Sequence, residues 1–153
     1  MTKTAKKRSS KKQPEEKGTT GIKYEDKSKG QPQLVSIFEE LKTYLTPYEK
    51  DSLTAKQSGG QYHLWSNKEI EVEGRKRNEV YFAGLLVQKG YVGFYYMPLY
   101  ANPSLKNELK PELLKCLKGK SCFHIKKLDD NLKSQIKDAL ETGYEYYKKL
   151  RWV

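Results

Sequence analysis

The chain has 153 residues, enough for one hydrophobic core and about one domain. Thirty lysines and arginines stand against nineteen aspartates and glutamates, a formal net charge of +11, so the composition favours polyanions as non-specific partners. No window approaches the ~20 apolar residues of a membrane span, no apolar leader follows Met1, and two cysteines are too few for a disulfide framework. The expected location is therefore the reducing cytoplasm, with no membrane partner and with Cys116 and Cys122 as free thiols.

The charge is unevenly spread. Residues 1–30 hold ten basic and four acidic side chains, and after Met1 their only sizeable apolar groups are one isoleucine and one tyrosine. Such a segment cannot offset its ordering entropy by burial, so it is expected to be a disordered basic tail preceding a single domain over residues 31–153. Lys6, Lys7, Arg8, Lys11 and Lys12 form its densest basic run. They would contact nucleic-acid phosphates weakly and without sequence preference; the plainer role is a solvated, solubilising tail.

Order is expected from "PQLVSIFEELKTYL", where Pro32 suits a first helical turn and Leu34, Ile37, Phe38, Leu41 and Leu45 recur at helical spacing. Strands follow. "SLTAKQ" is a short one, "SGG" turns the chain, and "QYHLWSN" alternates Tyr62 and Leu64 against His63 and Trp65. "EIEVE" sets Ile70 and Val72 opposite Glu69, Glu71 and Glu73, a pattern of a charged edge strand, and "GRKRN" can turn. "EVYFAGLLVQ" and "YVGFYYMPL" are apolar on both faces, so they read as central strands joined at Lys89-Gly90, with Gly84 and Gly93 where a ring or helix lies close.

The period then changes. "NPSLKNEL" starts a helix capped by Asn102, and "KPELLKCLKG" a short one ending near Gly119. "SCFHIKK" alternates again, with Cys122 and His124 on one side and Phe123 and Ile125 on the other. The last helix, "DDNLKSQIKDALETGYEYYKKLRW", places Leu132, Ile136, Ala139, Gly143, Tyr147 and Leu150 in one stripe, with Asp129 and Asp130 at its positive start. The expected class is α+β: an antiparallel sheet of about five strands with the N- and C-terminal helices on one face.

"LKGKSCFHIKK" invites a chemical reading, which the spacing resists. Gly119 has no partner glycine five residues earlier, and Ser121 leads into a strand, so no phosphate-cradling loop forms. Cys122 and His124 share a strand face, but nothing orients the imidazole as a base, and a buried, inert cysteine is the expectation. Cys116, Cys122, His63 and His124 lack the spacing of a zinc site. No catalytic residue, cofactor or metal is therefore expected. The aromatic supply is more suggestive. If the sheet's open face is incompletely covered, Trp65, Tyr81, Tyr95 and Met97, with His63 beside them, would line an apolar pocket with polar tips; an ordinary aromatic core is the alternative.

From Leu34 to Tyr147 the chain resembles the YdhG-like family, small bacterial proteins grouped as a domain of unknown function. "YFAGLLVQKGYVGFYYMPLY" is similar to the family's strand hairpin ending before a proline, and "LKGKSCFHIKKLDD" to its final strand leading into the last helix. The resemblance implies an α/β sandwich without assigned activity, and hence a non-enzymatic domain binding a small ligand or a protein partner. One branch of the family is described as a frataxin-like intracellular iron chaperone that uses acidic surface groups. That branch implies an alternative in which Glu39, Glu40, Glu49 and Asp51 collect iron.

Overall fold

A computed structural model of the protein describes residues 24–153, so the basic run at Lys6, Lys7, Arg8, Lys11 and Lys12 lies outside the described residues. The elements in chain order are α1 (Pro32–Leu45), β1 (Leu53–Ser58), β2 (Gln61–Ser66), β3 (Ile70–Val72), β4 (Arg75–Arg77), β5 (Val80–Gln88), β6 (Tyr91–Tyr96), α2 (Met97–Ala101), α3 (Pro111–Leu114), β7 (Leu117–Lys118), β8 (Cys122–Ile125) and α4 (Asp130–Lys149). Short 3₁₀ turns over Thr46–Tyr48 and Pro103–Glu108 link some of them. The class is α+β. Six strands form one antiparallel sheet in the order β1-β2-β5-β6-β8-β7, and β3 pairs with β4 in a separate ribbon.

Cross-strand partners lie on one face of a sheet, so the register sorts the side chains. Tyr62 pairs with Leu85, Leu85 with Phe94, and Phe94 with Phe123. That row lies on the covered face and is fully buried. It belongs to one core cluster with Leu34, Phe38, Leu41, Tyr44 and Leu45 of α1 and with Leu132, Ile136, Ala139, Leu140, Tyr144 and Tyr147 of α4. The long helices therefore pack on this face. Asp129 caps α4 by accepting from Leu132 N at 2.8 Å, satisfying one of the donors that a helix start leaves open.

One irregularity decides the arrangement of the other face. Opposite Leu64 stands Ala83, but opposite the next residue, Trp65, stands Tyr81, so Phe82 is the extra residue of a β-bulge. Phe82 turns into the core against Tyr144 and Tyr147, and Tyr81 is left on the face of Trp65.

Several expectations shift. The sheet has six strands because Leu117–Lys118 folds back on β8 around Gly119, whose φ of 83° suits a tight turn. "RKR", expected within a turn, is β4, and the reversal occurs one step earlier at Glu73 and Gly74, with φ of 52° and 78°. Glu71 thus lies in this ribbon, with Glu69 just before it and Glu73 in its turn, and none of the three is on an edge of the main sheet. Leu150 caps the last helix and is 36% exposed, while Leu140 and Tyr144 take its place in the stripe. Residues 24–30, assigned by composition to the tail, lie against the sheet. The Tyr24 hydroxyl donates to Val87 O at 2.8 Å, with Gly60 O also within reach at 3.1 Å, and the Gln31 side chain bridges Gln88 O and Gly90 N. No described helix is long and apolar enough to cross a membrane.

Candidate functional site: the open face of the sheet

The second face is set by the same pairings. Lys56 stands opposite His63, His63 opposite Gly84, Gly84 opposite Tyr95, and Tyr95 opposite Cys122. Lys118 of β7 ends that row opposite Cys122, and one step along Gly93 faces His124. None of Trp65, Tyr81, Tyr91, Tyr95 or His124 belongs to the core cluster, and even Leu86, which is buried, lies outside it. The six strands contain no aspartate or glutamate. Aromatic, imidazole, thiol and lysine groups make up most of this surface.

Two glycines let the rings settle onto the backbone. A β-carbon on Gly84 would stand 2.0 Å from the Tyr81 hydroxyl and 2.5 Å from His63 Nδ1. One on Gly93 would stand 3.2 Å from Tyr95 Cε2 and 3.4 Å from its hydroxyl. Tyr81 and Tyr95 thus lie back over glycines of their own strands, where any side chain would lift them.

The hydrogen bonds fix protonation. His63 is fully buried; its Nε2 lies 2.9 Å from Gln61 Oε1, and its Nδ1 lies 2.7 Å from the Tyr81 hydroxyl. Gln61 accepts from Nε2–H, so Nδ1 is the lone-pair nitrogen and accepts from Tyr81. Burial, and then the Lys56 charge, push the imidazole down to about 4, which leaves it neutral near pH 7. Burial pushes the Tyr81 phenol well upward and the Tyr95 phenol up to about 12. Burial also raises the Cys122 thiol, which hydrogen-bonds Tyr95. Neither His63 nor Cys122 is presented as a base or a thiolate.

At the rims the face is basic. Lys56 Nζ lies 5.0 Å from the Trp65 ring and pairs with Glu79 at 2.7 Å. The Trp65 indole N–H is buried and has no hydrogen-bond partner. At the far rim the rings of Tyr91 and His124 stack at 3.8 Å and 11°. Burial lowers the His124 imidazole, and the charges of Lys118 and Lys126 lower it further.

Of the residues expected to line a site, His63, Trp65, Tyr81 and Tyr95 share this face. Met97 does not stand on a strand: the chain leaves β6 there and begins α2, and the Met97 sulfur lies 3.8 Å from Ser121 Oγ. Tyr91, Cys122 and His124 join the face although they were not grouped with it. The signal was present in the alternation of Tyr91 with Tyr95 and in the common side of Cys122 and His124.

Away from this face, three of the acidic groups around α1 serve tyrosines. Glu40 accepts from Tyr44 at 2.5 Å, Glu49 from Tyr62, and Asp51 from Tyr144. Glu39 is exposed. Among the described residues, no group of three or more histidine, cysteine, aspartate or glutamate side chains is placed to hold a metal ion. A cleft of about 620 Å³ opens between α1 and α4, lined by Tyr44, Tyr48 and Tyr144 with Lys50, Lys137 and Lys148. Sequence periodicity gave no sign of it, since its walls come from separate elements. Glu141 and Glu145 stand among its lysines.

No family model, curated protein or solved structure matches this chain.

Proposed function

We propose that the chain is a non-enzymatic, cytoplasmic binding domain of YdhG-like type that holds a small ligand or a partner against the open face of its sheet. The observation that supports this most is the pair of tyrosines lying over Gly84 and Gly93 on a face that neither α1 nor α4 covers. Ring surfaces beside polar tips are what binding sites offer, and the neutral His63 and protonated Cys122 suit recognition better than catalysis. Free thiols at both cysteines accord with a reducing compartment.

A thermal-shift screen of the full chain against metabolites, combined with identification of co-purifying partners, tests the reading. Anything that binds the folded state raises its melting temperature. The expected outcome is a stabilising ligand or partner whose effect disappears in Tyr95→Ala. Its overturn is the absence of any such molecule, or a shift that persists in both Tyr95→Ala and Trp65→Ala, which would move the site to the cleft beside Tyr48.

A further inference from the structure

We infer that the occupant of the open face is a single-stranded nucleic acid, an inference that rests on the reading of this face as the binding surface. Three features of the face converge on it.

The first is the arrangement of rings. Trp65 on β2, Tyr95 and Tyr91 on β6, and His124 on β8 are each half-buried, so part of each remains accessible. From β2 to β8 the sheet crosses three strand intervals, roughly 14 Å at the usual spacing. That width suits about three or four unpaired nucleotides laid across the strands. Bases stack on such rings whatever their identity, because every base has a π-face. A paired base has its faces covered by its neighbours in the stack, and this face offers no helix to enter a groove. Stacking on these rings is therefore open to unpaired bases and closed to paired ones.

The second feature is charge. Lys56 stands at one rim and Lys118 and Lys126 at the other, while the strands hold no carboxylate. Glu79, bonded to Lys56, is one acidic group at that rim, and Asp26 lies against the β1–β2 turn at Gly59 and Gly60. A phosphodiester backbone crossing between the rims meets lysines at both ends. The helix-side cleft lacks this bias, because Glu141 and Glu145 stand among its lysines.

The third is where the basic tail joins. The described chain begins at Tyr24, bonded to Gly60 and Val87, at the same end of the sheet as Tyr91 and His124. The preceding 23 residues hold eight lysines and arginines against two glutamates. Whatever strand the face holds, this stretch of sequence adds net positive charge to the protein that binds it. The face supplies strand selectivity and the tail supplies charge.

Fluorescence anisotropy with the full chain decides the matter, using labelled oligo(U) and oligo(dT) of ~12 nucleotides and a mixed-sequence duplex, between ~50 and ~200 mM salt. Both single strands should bind about tenfold or more tighter than the duplex; a preference for oligo(U) would assign a role to the 2′-hydroxyl. Tyr95→Ala with Trp65→Ala should weaken single-strand binding by about tenfold or more with little change in salt slope. Lys118→Gln with Lys126→Gln, both at exposed positions, should lower the slope by one to two and guards against misfolding of the aromatic variant. Replacing Lys6, Lys7, Arg8, Lys11 and Lys12 by glutamine should weaken single strands and duplex alike. Equal affinity for both, or binding that only the tail variant reduces, overturns the inference. If no oligonucleotide binds while another molecule protects β6 and β8 from hydrogen exchange, the open face is still a binding face and only its occupant was wrong. If no molecule protects these strands, both readings fall.

Discussion

The two faces of the six-stranded sheet use alternate residues of the same strands, yet they obey different rules. On the covered face Leu85, Phe94 and Phe123 stand in one fully buried row under α1 and α4, and each ring is fixed by several others. On the open face Trp65, Tyr91, Tyr95 and His124 are half-buried, and Tyr95 lies over Gly93. An antiparallel sheet covered on one side ordinarily turns polar residues to water on the other. Threonine or lysine would serve that purpose at these positions. The aromatic choice is not required by the core, which is complete without it, and that difference separates the groups that hold the fold from those available for recognition.

The comparison breaks first at its strongest point. Phe123→Ala removes a fully buried ring packed on Phe94 and Tyr96 and should cost about 3–5 kcal/mol in denaturant unfolding. Tyr91→Ala, which removes the ring stacked on His124, should cost roughly 0.5–1.5 kcal/mol. Equal losses at the two positions would show that the open face is a second core.

His63 tests the boundary between the faces, being on the open side yet fully buried. Its imidazole is held at about 4, below the ordinary value of 6.5, so the folded state resists the proton that the unfolded chain accepts. Stability from this group is complete above pH 6.5 and is lost as the pH falls toward 4, by about 3 kcal/mol at 1.36 kcal/mol per unit. Urea unfolding at neutral and acidic pH should show that loss in the wild type and a smaller one in His63→Gln. Parallel pH profiles would mean that His63 is accessible to protons in the native state.

Gly143 is the corresponding close approach on the covered face. A β-carbon there would stand 2.7 Å from both Pro98 Cγ and the Tyr96 hydroxyl, which donates to Ala139 O. Gly143→Ala should therefore cost about 1–3 kcal/mol through overpacking, although alanine is the better helix former by about 1 kcal/mol. A stabilised variant would show that α4 can shift away from β6 at little cost.

Much of this division was legible in the sequence, because it rests on alternation. The opposite sides of Cys122 with His124 and of Phe123 with Ile125, and the grouping of His63 with Trp65, follow from period two. The hairpin at Gly90 follows from an apolar run on each side of a residue suited to positive φ. What escaped depends on distant partners. Strict alternation along β5 would place Tyr81 with Ala83 and Leu85; the bulge at Phe82, visible only in the pairing with β2, puts it beside Trp65. Leu117–Lys118 is too short to declare itself and becomes a strand by folding back on β8. Tyr24 is ordered by an acceptor 63 residues away, which local composition cannot register. Met97 continues the alternation of Tyr91 and Tyr95 on paper, but the turn into α2 at Pro98 removes it from the strand.

The smallest effect gives the sharpest version of the comparison. Lys118 and Lys126 are exposed, and both charges reach the His124 imidazole, which burial and these two lysines hold below its ordinary value. Changing both to glutamine removes the electrostatic part and leaves the burial, so the His124 pKa should rise without returning fully to normal. Exposed side chains with no role in packing change stability by no more than about 0.5 kcal/mol, so the unfolding midpoint should hardly move. An NMR titration of the His124 ring in wild type and double variant, with denaturant melts of the same samples, reads both quantities. A raised pKa with unchanged stability would locate positive charge at the rim of a face that the fold does not need. An unchanged pKa would place those charges away from the ring, and a large fall in stability would make the far rim part of the scaffold, removing the distinction between the two faces at the edge where it should be clearest.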